Sequence, residues 1–352
     1  MIKRLFIIFV LAVIFFLLGF FIHDFIKKDS TSKTIANIIP LPKPFEKYSF
    51  DILSKSDIKS GKITIGDILE EKDNFTSYVF TFEFYPSPES KEIKKTTGMI
   101  NIPKGYSKHP IILMFRGYVD QKLYITGMGT KNASYFFADK GFITIAPDFL
   151  GYAGSDKEAD NIFESRFQTY VTSIALLNTL KEIPENEMLI TDSIPLVNKL
   201  LNSSDLFIWG HSNGGQIALT VLEITGKDIS TVLWAPVSKP FPYSILYYTD
   251  ESEDQGKLIR YELAKFEEFY DTNQYSLLNY FDRINPNTKI QIHQGTYDDA
   301  VPVDWSNSLY KKLKDLNLNV DYFTYPGADH NLQPSWNFAI ERSLIFFKSQ
   351  IQ

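Results

Sequence analysis

The sequence predicts an α/β protein whose core is a doubly wound, mostly parallel sheet, and three observations point there. Continuous apolar runs such as Pro110–Phe115 and Gly141–Ala146 read as strands covered on both faces, as central parallel strands are. Stretches with helical apolar spacing fall between such runs, so strand and helix alternate along most of the chain. The third is Asp205–Gly215: a short apolar run ends in Gly210-His211-Ser212-Asn213-Gly214-Gly215 and passes at once into the helix-like Gln216–Leu222. A strand, a sharp glycine turn and a helix form the context in which Gly-x-Ser-x-Gly presents its serine hydroxyl at the top of a sheet.

Taken in order, the chain begins with Lys3-Arg4 and an apolar run from Leu5 to Ile22, followed by His23-Asp24 and Lys27-Lys28. At ~1.5 Å rise per residue that run spans about 27 Å, enough for a bilayer's hydrocarbon core. No small-residue cleavage site follows it, so residues 1–28 are expected to be an uncleaved transmembrane signal anchor, with the rest outside the cytoplasm. The alternative is a cleaved secretory peptide. Residues 29–47, polar and then proline-punctuated at Pro40, Pro42 and Pro44, read as a linker, leaving 48–352 as the folded domain. Within it, Tyr78–Tyr85 and Thr96–Pro103 are expected to form a strand hairpin. Pro110–Phe115, Gly141–Asp148, the strand ending at Gly210, Thr231–Pro236, Lys289–Gly295 and Val320–Tyr325 are expected as the parallel set. Helices are expected at Lys131–Lys140, Phe163–Ile183, Trp305–Leu316 and Trp336–Ser349. Two stretches break the alternation: Ile190–Asn202, a further helix-like piece, and Pro240–Gln274, rich in Tyr, Phe, Glu and Lys, which reads as an inserted helical lid.

Composition narrows the chemistry. A net charge of −6 without a basic cluster argues against nucleic acid as a partner, and the absence of cysteine removes thiolate nucleophiles and cysteine-ligated metals. No phosphate loop, His-Glu-x-x-His or dinucleotide glycine fingerprint is present, so no cofactor or metal is expected. Serine hydrolysis needs instead a base and an orienting acid. Of the five histidines, only His330 lies in a loop after the last strand, within Tyr325-Pro326-Gly327-Ala328-Asp329-His330-Asn331. The acid should leave the preceding strand end, where Gly295-Thr296-Tyr297-Asp298-Asp299 offers two carboxylates; Asp298 is the choice, with Asp299 a solvated neighbour or helix cap. Asp329 is too close in sequence to face His330. An oxyanion would be held by the amide of Asn213 and by that of Tyr118 (or Val119), after the Pro110–Phe115 strand. Arg116 could serve a substrate carboxylate, and the loop from Asp148 through Gly151 and Gly154 reads as structural.

Gly210–Gly215, Gly295–Pro302 and Gly327–His330 together resemble the α/β-hydrolase fold, and within it the catalytic domain of prolyl oligopeptidase-type (S9) serine peptidases and the dienelactone-hydrolase-like esterases. The likeness covers about Tyr78 to Gln352. It implies Ser212 as nucleophile, His330 as base and Asp298 as orienting acid, with the Asn213 and Tyr118 amides in the oxyanion hole. Two departures stand out. Too few residues precede the first strand for the β-propeller that usually filters peptide substrates by size, and Arg116-Gly117 stands where His-Gly is usual. The expectation is a membrane-anchored serine hydrolase, a peptidase on short peptides before a carboxylesterase or lipase-like esterase. A non-catalytic binding protein on a hydrolase scaffold is the other class.

Overall fold

The computed structural model describes residues 43–105, 108–182, 201–249 and 254–351, and Pro44–Gln352 forms one compact unit. Its spine is a nine-stranded sheet in the order β1-β2-β3-β5-β4-β6-β7-β8-β9. The strands are β1 Lys62–Glu71, β2 Phe75–Phe84, β3 Lys94–Pro103, β4 His109–Phe115, β5 Ile143–Pro147, β6 Leu201–His211, β7 Thr231–Trp234, β8 Lys289–Gly295 and β9 Asn319–Tyr325. The first three form an antiparallel meander, β3 meets β5 antiparallel, and every pairing from β5 through β9 is parallel. The hairpin and the six parallel strands therefore stand where the apolar patterning puts them.

β4 shows why those runs are continuous rather than alternating. Ile111, Leu113 and Phe115 enter one buried cluster while Ile112 and Met114 enter the other, so successive side chains supply both faces. Six helices of nine or more residues are described: α1 Lys131–Asp139, α2 Ile162–Glu182, α3 Asn213–Thr225, α4 Lys257–Glu267, α5 Val303–Asp315 and α6 Trp336–Lys348. α1 and α6 supply Phe137 and Phe347 to the second cluster; α2, α3 and α5 supply Val171, Leu219 and Leu309 to the first.

Strand order places the site. β4 lies between β5 and β6, so connections leave its two sides in opposite directions and a crevice opens at the carboxyl ends. In register, Phe115 pairs with Gly210, His211 with Trp234, and Gly295 with Tyr325. The Arg116-Gly117-Tyr118 loop therefore leaves the sheet level with the turn at Ser212. The Asp298 and His330 loops leave level with each other.

Several features lie outside the sequence reading. β1 is an edge strand, mostly exposed and twice bulged, so its side chains carry no clear two-residue alternation. The end of the expected linker belongs to the domain: the Phe45 ring packs 5.9 Å from Phe266, its amide donates to Tyr270 Oη at 3.0 Å, and its carbonyl accepts from Tyr275 Oη at 3.1 Å. Most of Ile190–Asn202 lies outside the described residues, but Leu201 and Asn202 begin β6, paired with His109 and Pro110. The insertion is helical in α4 and continues as short 3-10 turns to Arg283. Phe241, Phe266 and Tyr275 pack onto Phe163 and Phe167 of α2, which explains why α2 is buried nearly all round. Burying each such ring contributes on the order of 1.5–3 kcal/mol. Among the described residues no helix is long and apolar enough to cross a membrane; residues 1–42, where the anchor and most of the linker were expected, lie outside them.

Candidate active site

Ser212 sits between β6 and α3 with φ 56° and ψ −120°, a conformation that costs a non-glycine residue on the order of 1–3 kcal/mol. The surrounding backbone over-determines it. Ser212 N–H donates to Trp234 O at 2.8 Å, and Ser212 O accepts from Gly215 N–H and Val237 N–H, each at 3.0 Å. The turn also requires bare backbone: a Cβ on Gly214 would lie 2.0 Å from Phe115 O, and one on Gly210 2.4 Å from Gly214 O. These contacts press the start of α3 against the end of β4.

On the neighbouring strand ends, His330 Nδ1 lies 3.0 and 2.9 Å from Asp298 Oδ1 and Oδ2. A carboxylate only accepts, so Nδ1 carries the proton and Nε2 is left with its lone pair, the form a general base needs. It is Asp298 that meets His330. Asp299 is exposed, and Asp329 instead accepts from the Asn331 and Gln333 amides at 2.9 and 2.8 Å, folding the loop that carries the histidine. The Asp298 side chain is wholly buried, and also accepts from Ala300 N–H at 3.0 Å, Val301 N–H at 2.8 Å and Gln294 Nε2 at 2.9 Å. Burial alone would raise its pKa; the hydrogen bond and charge of His330, with these further donors, outweigh it and hold the carboxyl below its ordinary value.

His211, inside the turn, completes the approach. Its Nε2 lies 3.0 Å from His330 O, and the two rings are 4.7 Å apart. Desolvation, helped by the nearby His330, pushes His211 down to about 4, so at neutral pH it is an uncharged donor. Ser212 Oγ forms no hydrogen bond with His330 among the described contacts; such bonds are often long without substrate.

Residues 196–352 match the model of the prolyl oligopeptidase family. The uncharacterized peptidase YtmA of Bacillus subtilis is 25% identical over 252 residues, 71% of this chain and 87% of its own length. Among solved structures, acetyl xylan esterase 1 from a Thermoanaerobacterium species superposes with a TM-score of 0.61 at 15% identity, covering 88% of this chain and 95% of that one. An acetyl xylan esterase from a Paenibacillus species gives 0.59 at 16% identity, covering 86% and 92%. The chain has an α/β-hydrolase-like fold.

In this fold the loop after β4 is held by Arg116. Its Nη1 donates to Gly117 O and its Nη2 to Asp148 O, each at 2.9 Å, and the guanidinium stacks 3.9 Å above the Tyr152 ring. Arg116 is thus a buried strut of the loop, not a free cation awaiting a carboxylate. Asp148, fully buried, accepts from Tyr124 Oη at 2.7 Å, Thr97 Oγ1 at 2.7 Å, Thr126 Oγ1 at 2.9 Å and Gly127 N–H at 3.1 Å, which gives the expected structural role its content. Gly117 lies so close to Ser212 that a Cβ there would be 3.0 Å from the serine Cβ. Asn213 opens α3, where first-turn amides have no intrahelical partner.

Tyr118 and Asn213 line one cavity of about 250 Å³, together with Arg116, Tyr152, Glu158 and Arg166. Beside the Asp298 loop, Tyr247 packs 4.8 Å from Trp305, and Tyr248 Oη donates to Ala300 O at 3.2 Å. The half-exposed Tyr243 joins this aromatic wall beside the Asp298 loop. Among the described residues no three His, Asp or Glu side chains cluster closely enough to hold a metal ion. Sequence reasoning passed over His211, Gln294, Glu158 and Arg166. Only His211 carried a signal, its place inside the serine turn; the others are brought in by tertiary packing.

Proposed function

We propose that this chain is a membrane-anchored serine hydrolase that cleaves an acyl bond through an acyl-enzyme, acting on short peptides. The observation that carries the reading is the His330–Asp298 pair, held at the level of the strained Ser212 turn. Ser212 Oγ attacks the scissile carbonyl while His330 Nε2 takes its proton, and Asp298 stabilises the imidazolium that forms. The carbonyl oxygen becomes an oxyanion facing the amides of Asn213 and Tyr118. His330 returns the proton to the leaving nitrogen or oxygen, and water, deprotonated by the same ring, releases the acyl group.

The peptide preference rests on the family match and on the description of YtmA as a peptidase. The wall of Tyr243, Tyr247 and Trp305 offers an apolar side chain a place beside the Asp298 loop. One observation favours an ester substrate instead: a cavity of about 250 Å³ is below the ~300–1,000 Å³ usual for drug-sized ligands, and suits a short acyl group. The anchor is supported by the apolar run Leu5–Ile22.

Full-length protein in detergent should label with a fluorophosphonate probe, and Ser212→Ala should not; labelling that persists in the variant ends the serine assignment. Turnover of p-nitrophenyl esters with none of aminoacyl anilides would leave the esterase reading. Fractionation of cells carrying the full chain tests the anchor, which fails if the protein is recovered without membrane.

A further inference from the structure

The cavity beside Asn213 is lined by a cation whose hydrogen-bonding capacity the described residues use only in part. Arg166, on α2, donates through Nη2 to Gln216 Oε1 at 2.7 Å, while its Nε is buried with no partner. Among the described residues no carboxylate lies within ion-pair distance of it. Glu158 lines the same cavity, but both its oxygens are engaged, Oε1 by Gln121 Nε2 at 2.7 Å and Oε2 by the Ser165 hydroxyl. Arg116 also leaves its Nε without a partner, but both its Nη atoms are committed, to the carbonyls of Gly117 and Asp148. The unmet demand in this cavity is therefore for an acceptor, and a guanidinium's planar fork is matched best by a carboxylate.

We propose that this cavity binds a carboxylate of the substrate and that Arg166 reads it. The inference rests on the serine-hydrolase reading of Ser212, because Tyr118 and Asn213, the oxyanion donors of that reading, line the same cavity. A carboxylate on Arg166 would lie a short chain away from the scissile carbonyl, on the acyl or the leaving half of the substrate. Glu158, which lines the same cavity, opposes a second negative charge, which limits the cavity to one anionic group.

The test compares substrates that differ in charge, using full-length protein in detergent. For the acyl half, the pair is the p-nitrophenyl monoester of glutarate against p-nitrophenyl pentanoate; for the leaving half, 3-acetoxybenzoate against phenyl acetate. In at least one pair the carboxylate member should be preferred by roughly 10- to 100-fold in kcat/KM, the range of a hydrogen-bonded charge. Arg166→Gln should erase that ratio, and Arg166→Lys, which keeps the charge without the fork, should keep part of it. No preference in either pair for the wild-type protein overturns the proposal, whether or not Arg166→Gln folds. So does a preference that survives Arg166→Gln, or one for an ester with a terminal trimethylammonium group. Neutral esters turned over no faster by the wild type than by Ser212→Ala would defeat the serine-hydrolase reading itself, a different failure.

Discussion

The imidazole of His211, one residue before Ser212, is hydrogen-bonded through Nε2 to the backbone carbonyl of His330 at 3.0 Å. The turn that presents Ser212 thus also grips the loop that presents His330. A neutral imidazole suits this, since its one N–H meets the carbonyl without importing a charge beside Asp298.

Replacing His211 with Phe keeps a ring but loses that donor. One neutral hydrogen bond is worth about 0.5–1.5 kcal/mol, so kcat should fall roughly 2- to 10-fold with KM nearly unchanged. His211→Gln, which keeps a donor, should recover part of the loss. Steady-state kinetics on one chromogenic substrate decide it, and a change confined to KM contradicts the positioning role.

Asp298→Asn should lower kcat by about 10⁴-fold while leaving the thermal midpoint close to that of the wild type. An amide can still accept from the Ala300 and Val301 backbone, but it no longer fixes the proton on His330 Nδ1. Turnover within tenfold of the wild type would mean that another carboxylate does this work.

Acid should begin to weaken the fold at pH values above those at which carboxylates titrate. His293 is fully buried between Tyr325 Oη and Gln291 Oε1, each at 2.7 Å, and burial, with the charge of Arg342, pushes it down to about 3. In the unfolded chain a histidine binds its proton near pH 6.5, so the unfolded state gains protons first as pH falls. Stability is therefore lost between about pH 6.5 and 3, by a few kcal/mol. Urea midpoints at pH 7, 5 and 4 should fall in that order, and His293→Gln should flatten the series. A series as steep in the variant as in the wild type rules this histidine out as the cause.

Glu223 works in the opposite sense. It is buried within α3, neither carboxyl oxygen has a partner among the described residues, and burial holds its pKa well above the ordinary value. A raised folded pKa means stability that is fully present below the unfolded value near 4.3 and declines as pH rises. Glu223→Met should therefore stabilise the protein by about 1–3 kcal/mol at pH 8, and by less at pH 4. Equal gains at both pH values would show that the carboxyl titrates normally.

Much of this was legible because the chemistry sits in local patterns. The Gly210–Gly215 turn encodes its own backbone, and the Asp298 and His330 loops each follow an apolar strand, so the pair that meets could be named from chain order. The strand Lys62–Glu71 could not, because an exposed and bulged edge has no face to pattern. Phe45 read as linker because its partners, Phe266, Tyr270 and Tyr275, lie more than two hundred residues away. Arg116 invited a substrate role for the same reason: the Asp148 carbonyl and the Tyr152 ring that occupy it arrive from another loop. Arg166, on an apolar helix, carried no signal in the sequence, because Gln216 and the cavity beside Asn213 come together around it only in the fold.

Residues 196–352, which match the prolyl oligopeptidase family, contain Ser212, Asn213, Asp298 and His330, while Tyr118, Glu158 and Arg166 precede them. In the proposed reading the nucleophile, base and acid all follow that boundary, while Glu158 and Arg166, which line the cavity beside them, precede it. Drift in the earlier half can re-tailor the cavity without disturbing the machinery that follows it. Chains alike over the later half can therefore share a reaction and still differ in diet.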